Sequence, residues 1–146
     1  MSVSPIFEHW LFMFITSLSL IIKHLTTLEF LRIENCKELS LTEGEYNQKL
    51  KLSLRMLKIV KLPKLEALPQ WLQGSVNTLQ HLEIEKCDNF KTLPNWLSHP
   101  KSLQKLWIAH CLKLSSLPKG MQALTALREL KILNCKELSL MDKEEN

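Results

Sequence analysis

Leu79-Gln80-His81-Leu82-Glu83-Ile84-Glu85-Lys86-Cys87-Asp88-Asn89-Phe90-Lys91-Thr92-Leu93-Pro94 carries the pattern on which the rest of the chain is built. Counted from Leu79, its apolar side chains fall at offsets 0, 3, 5, 8, 11 and 14: Leu79, Leu82, Ile84, Cys87, Phe90 and Leu93. Offsets 3 and 5 alternate with polar residues, the period of a half-buried strand. The later apolar residues come at steps of three, which suits a chain that keeps turning one side inward. The hexamer L-x-x-L-x-I recurs four more times, from Leu28, Leu54, Leu103 and Leu127. Successive spacings are 26, 25, 24 and 24 residues. The heptapeptide Asn-Cys-Lys-Glu-Leu-Ser-Leu, identical at 35–41 and 134–140, belongs to the first and fifth of these repeats.

No repeat of this size can bury its apolar face alone, so neighbours must stack and share one continuous core. The strands then pair in parallel, about 4.8 Å apart. The expected architecture is an α/β leucine-rich-repeat solenoid: a curved parallel β-sheet on the concave side, with short turns or 3₁₀ pieces on the convex side. The repeat domain covers residues 25–146, its five repeats starting near 28, 54, 79, 103 and 127.

Composition agrees with this. The chain has 146 residues, 45% of them hydrophobic, and only three glycines, which excludes disorder and a Gly-rich phosphate-binding loop. A net charge of +4 is too small to imply a nucleic-acid partner by itself. Cys36, Cys87, Cys111 and Cys135 all sit at offset 8, where the chain bends out of the strand; the second repeat has Leu62 there. That slot wants a small side chain with some hydrogen-bonding ability. Buried free thiols are the favoured reading, and a disulfide or a metal site stands as the alternative. The 24-residue spacing offers no C-x-x-C pair and no histidine recurs in register. A ladder of free thiols suits a reducing compartment.

After offset 11, three repeats read Leu-Pro: Leu68-Pro69, Leu93-Pro94 and Leu117-Pro118. Proline fixes φ and suits the first position of a short helical turn, so the outer side of each repeat is predicted to be 3₁₀ rather than a long helix. Trp71 and Trp96 share offset 17 and are expected to fill the gap between adjacent repeats. The first and fifth repeats continue as Ser-Leu, and the polar segment 42–49 in the first reads as a solvated loop.

The combination L-x-x-L-x-I-x-x-C-x-x-L-x-x-L-P, with Leu-Pro-Gln-Trp-Leu at 68–72, Leu-Pro-Asn-Trp-Leu at 93–97 and Leu-Pro-Lys-Gly-Met at 117–121, resembles the C-terminal repeats of plant intracellular nucleotide-binding leucine-rich-repeat disease-resistance proteins. The similarity covers roughly residues 25–146 and is nearest to the coiled-coil subgroup. No G-x-x-x-x-G-K-[ST] loop is present, so only the role of the repeat region carries over. The resemblance implies a cytoplasmic fragment of a larger protein, with a non-catalytic recognition or autoinhibitory role in plant defence. Its implied partners are proteins: a pathogen effector, a host guard protein, or the nucleotide-binding module of the parent protein.

Residues 1–24 stand apart. Trp10 to Ile22 is an uncharged run too short to span a bilayer comfortably, and Glu8 replaces the basic start of a signal peptide. Trp10-Leu11 mirrors Trp71-Leu72, and His24-Leu25-Thr26-Thr27-Leu28 mirrors Ala123-Leu124-Thr125-Ala126-Leu127. A degenerate repeat remnant is favoured, with an apolar leader, anchor or signal as the alternative.

Function has to come from the exposed positions, since the apolar pattern describes only the core. Offsets 2, 4 and 6 are expected on the concave face. The candidate partner-binding residues there are Arg32, Lys58, Glu83, Glu85, Lys105, Trp107, Lys131 and Leu133. Trp107 is a large aromatic among charged neighbours; it reads either as a recognition anchor or as a ring packed over the stems of Lys105 and Lys131. Lys49, Lys51, Arg55, Lys58, Lys61 and Lys64 have no acid among them in sequence, yet lack the aromatic platform that nucleic acid binding uses. No cofactor or metal motif appears, no G-x-S-x-G or H-E-x-x-H is present, and the histidines fall in different repeat slots, so no enzyme is expected. Membrane binding is likewise disfavoured. Other repeat proteins remain as alternatives. A ubiquitin-ligase substrate adaptor shares the cysteine slot but follows it with a longer helix. An extracellular receptor ectodomain would carry glycosylation sites, and the chain has no Asn-x-Ser/Thr.

Overall fold

The structure, a computed structural model, describes residues 12–13, 26–41, 51–99 and 102–138. The predicted loop at 42–49, most of the apolar run at 10–22 and the charged tail at 141–146 lie outside these residues.

Six strands form one sheet in chain order: β1 (Phe12–Met13), β2 (Phe30–Glu34), β3 (Met56–Val60), β4 (His81–Glu85), β5 (Lys105–Ala109) and β6 (Glu129–Leu133). Every neighbouring pair is parallel. Equal offsets face each other with no slip: Leu31, Leu57, Leu82, Leu106 and Leu130 form one row, and Ile33, Ile59, Ile84, Ile108 and Ile132 the next. A one-residue slip would turn every side chain to the other face, so burial locks the register. From β2 to β5 the leucine row is fully buried, and each such side chain contributes about 1.5–3 kcal/mol.

Backbone hydrogen bonds stitch the repeats at both ends of each strand. At the start, the offset-1 and offset-2 amides donate to the preceding repeat, as Gln80 N and His81 N do to Arg55 O at 2.8 and 3.0 Å. At the end, the offset-7 amide donates to the following repeat: Asn35 N to Val60 O, Lys61 N to Glu85 O, Lys86 N to Ala109 O and His110 N to Leu133 O. To aim that N–H forward the chain turns left-handed there. Asn35, Lys61, Lys86, His110 and Asn134 all have φ between 52° and 56°. Asparagine tolerates this region well; lysine and histidine do so at greater cost.

One position later come the cysteines, and all four are free, buried thiols. Each Sγ lies within donating range of the offset-6 carbonyl of its own repeat: Glu34, Glu85, Ala109 or Leu133. Cys111 and Cys135 also reach the carbonyls of Ile84 and Ile108 in the preceding repeat. Burial pushes the thiol of Cys87 up to about 11 and that of Cys111 up to about 12, and raises Cys135 as well.

On the outer side lie three 3₁₀ turns, Gln70–Ser75, Asn95–Ser98 and Met121–Ala123. Pro69 and Pro94 precede the first two as extended caps rather than as their first residues. The third starts later, after Gly120 at φ 86°. Leu72 and Leu97 are fully buried at offset 18, an apolar position beyond those read from the sequence. Trp71 is buried and its indole N–H donates to Leu41 O at 3.0 Å, tying the second repeat to the first. Trp96 is partly buried against the same core. Parallel bridges link Ala67 to Thr92 and Thr92 to Ser116, so the repeats are hydrogen-bonded on this side too.

β1 departs from the sequence alignment. Matching Trp10-Leu11 to Trp71-Leu72 would put the next two residues on the outer side. Instead Phe12 pairs with Arg32 and Met13 with Ile33, at offsets 4 and 5 of the sheet.

Candidate functional site

Offsets 2, 4 and 6 lie on the face of the sheet opposite the leucine core. The central row runs Arg32, Lys58, Glu83, Trp107, Lys131 across five strands. Phe30, Met56, His81, Lys105 and Glu129 form the row before it, and Glu34, Val60, Glu85, Ala109 and Leu133 the row after. All eight sequence-predicted residues therefore sit on one face. They do not form one cluster.

Two groups emerge. Around β3 and β4, Glu83 is only 6% exposed, which corrects the expectation that offset 4 points into solvent. A buried carboxylate needs partners, and it has two: Lys58 Nζ lies 3.4 Å from Oε2, and His81 Nε2 lies 2.7 Å from Oε1. Arg32 pairs with Glu34 on its own strand. Around β5 and β6, two ammonium groups, Lys105 Nζ and Lys131 Nζ, lie over the Trp107 ring, each 4.6 Å from its centroid. Glu129 holds both lysines, at 3.3 and 3.5 Å. Its carboxyl titrates below the usual range: desolvation raises it, but the Lys105 hydrogen bond and the charges of Lys105 and Lys131 outweigh that. The Trp107 indole also leans towards Glu129, but without hydrogen-bond geometry, so Nε1 is a buried donor with no acceptor. His81 links the two groups, its ring 6.3 Å from that of Trp107 and tilted by 59°.

Glu85 has no ion-pair partner among the described residues, and Leu133 is 55% exposed beyond the lysine–tryptophan stack. His81 and Glu129 were missing from the sequence-based site. Alternation alone could have found them, since both stand two positions from a chosen residue and so share its face. A cavity of about 330 Å³, lined by Gln80, His81, Gln104, Lys105, Arg128 and Glu129, opens where these strands begin.

The basic run that looked unopposed in sequence is partly neutralised between repeats. Arg55 meets Glu29, Lys58 meets Glu83 and Lys64 meets Glu38, at 3.6, 3.4 and 3.4 Å. Among the described residues no group of His, Cys, Asp or Glu is placed to hold a metal, and no helix is long and apolar enough to cross a membrane.

No protein-family model matches the chain, and no curated protein matches it.

Proposed function

We propose that the chain is a leucine-rich-repeat solenoid serving as a non-catalytic protein-recognition or autoinhibitory module in plant defence, cytoplasmic and part of a larger disease-resistance protein. The observation that carries this reading is the open face itself. Five strands display, in unbroken register, a row of charged side chains with one tryptophan among them. Such faces on repeat proteins serve as extended binding surfaces, and tryptophan and arginine dominate interface hot spots. The partner is a protein carrying carboxylates. Lys105 and Lys131 cover Trp107 in the free chain, and acidic groups on a partner would draw them aside and let an apolar side chain onto the ring.

Replacing Trp107 by Ala tests this. Loss of a central aromatic anchor is worth about 2 kcal/mol or more, a weakening of at least ~30-fold. The melting point should barely move, because offset 4 faces away from the leucine core. Both forms would be compared for capture of effector, guard protein or nucleotide-binding module. Equal capture with a lowered melting point would reduce Trp107 to a packing residue.

A further inference from the structure

Several lysines pair with groups of a neighbouring repeat. Lys58, Lys64, Lys91 and Lys105 each meet a carboxylate of a neighbouring repeat, and Lys113 donates to Asn89. The side chains of Lys37, Lys51, Lys61, Lys86, Lys119 and Lys136 make no such pair among the described residues. Among them, Lys37, Lys61 and Lys86 are exposed, and their ammonium groups make no ion pair or hydrogen bond among the described residues. They are also gathered. With Asn35, Pro63 and Asp88 they line an open cavity of about 400 Å³ at the ends of β2, β3 and β4, away from the Trp107 face. Three ammonium groups thus face one carboxylate.

We propose that this ledge binds a small ligand bearing several phosphate groups. The size fits, since small-molecule sites run from roughly 300 to 1,000 Å³. Three repeats span two strand spacings, about 10 Å, which suits adjacent phosphates of one compact molecule. The charge does not continue along the rim, because the fourth repeat supplies His110 and the exposed Leu112. The next lysine in that repeat, Lys113, is hydrogen-bonded to Asn89 at 3.0 Å. The lining holds no aromatic ring on which a base could stack. It holds no arginine either, so the planar fork that matches a carboxylate is missing, whereas lysine binds phosphate as a point charge.

Backbone geometry supplies a clean test. Lys61 and Lys86 sit at φ 55° and 54°, where asparagine is the better-tolerated residue and already serves at Asn35 and Asn134. The double variant Lys61→Asn/Lys86→Asn removes two charges while suiting the backbone. Full-length chain, immobilised through a terminal tag, would be titrated with inorganic tripolyphosphate by surface plasmon resonance. Wild type should bind it saturably, more weakly as salt screens the charges. The double variant should melt no lower yet bind about 10-fold more weakly or worse. Lys61→Arg/Lys86→Arg should retain binding, and Lys113→Asn, outside the cavity, should leave it unchanged. No saturable binding by wild type at low salt would overturn the proposal. So would equal losses in the double variant and Lys113→Asn, the mark of a diffuse charge effect. Tighter binding of a hexaglutamate peptide or a short oligonucleotide than of tripolyphosphate would reassign the ledge to a macromolecule. These readouts leave the Trp107 face untouched, so either reading can fail alone.

Discussion

At the scale of single residues, the slots after each strand decide most. Offset 7 must turn left-handed to hand its N–H to the next repeat, and offset 8 must be apolar enough to be buried beside that turn, as cysteine is in four repeats and Leu62 in the second. Cys36, Cys87, Cys111 and Cys135 meet the second demand, and burial makes Cys87, Cys111 and Cys135 hard to ionise. A thiol whose folded pKa is raised stabilises the fold below its unfolded value, near 9.0, and that contribution is lost as pH rises towards about 11 to 12. Stability should therefore be insensitive to these thiols at neutral pH and fall steadily above pH about 9. Chemical denaturation across that range checks it, and the native chain should resist iodoacetamide at pH 7.5 while the denatured chain reacts at four sites. Rapid native alkylation at pH 7.5 would contradict the burial. The cysteine ladder was legible in sequence because one residue type recurs. The left-handed row was not, since lysine and histidine occupy three of its five positions and hide a constraint that Asn35 and Asn134 alone hint at.

At the scale of elements, strands were easier to read than the turns between them. A strand announces itself by alternation, and the five L-x-x-L-x-I hexamers place β2 to β6. The outer side is read from Leu-Pro, which marks where each turn begins but not how it packs. Leu72 and Leu97 lie beyond the apolar offsets read from the sequence, although both are fully buried. Glu83 erred the other way: its offset predicts exposure, and Lys58 and His81 close over it because rows on one face interact across strands. Trp71 is where an outer turn bonds to another repeat. Trp71→Phe keeps most of the ring but leaves Leu41 O without its 3.0 Å donor, a cost of about 1–3 kcal/mol. Trp96 makes no such bond among the described residues and is only partly buried, so Trp96→Phe should cost less. Equal shifts in the denaturation midpoints of the two variants would show that the Leu41 bond contributes little.

For the whole molecule, the consequence of stacking is an end. Each repeat covers its neighbour, and the leucine row that is 0% exposed at Leu31, Leu57, Leu82 and Leu106 rises to 46% at Leu130. Leu133, 55% exposed, lies two strand positions from Lys131 on the open face, and Ile132 is only partly buried. Among the described residues no strand lies beyond β6, and apolar side chains stand exposed on that last strand. A repeat stack with apolar side chains exposed at one end tends to associate. The isolated chain should therefore self-associate in a concentration-dependent way, seen as a sedimentation coefficient that rises over the micromolar range. Leu130→Lys should suppress this association, since a charge at that row cannot be buried against another copy without a partner. Its effect on the chain's own stability should be smaller than that of Leu106→Lys, whose side chain has no exposed surface to begin with. A concentration-independent monomer with a single cooperative melt would refute the argument and show that β6 is already adequately covered.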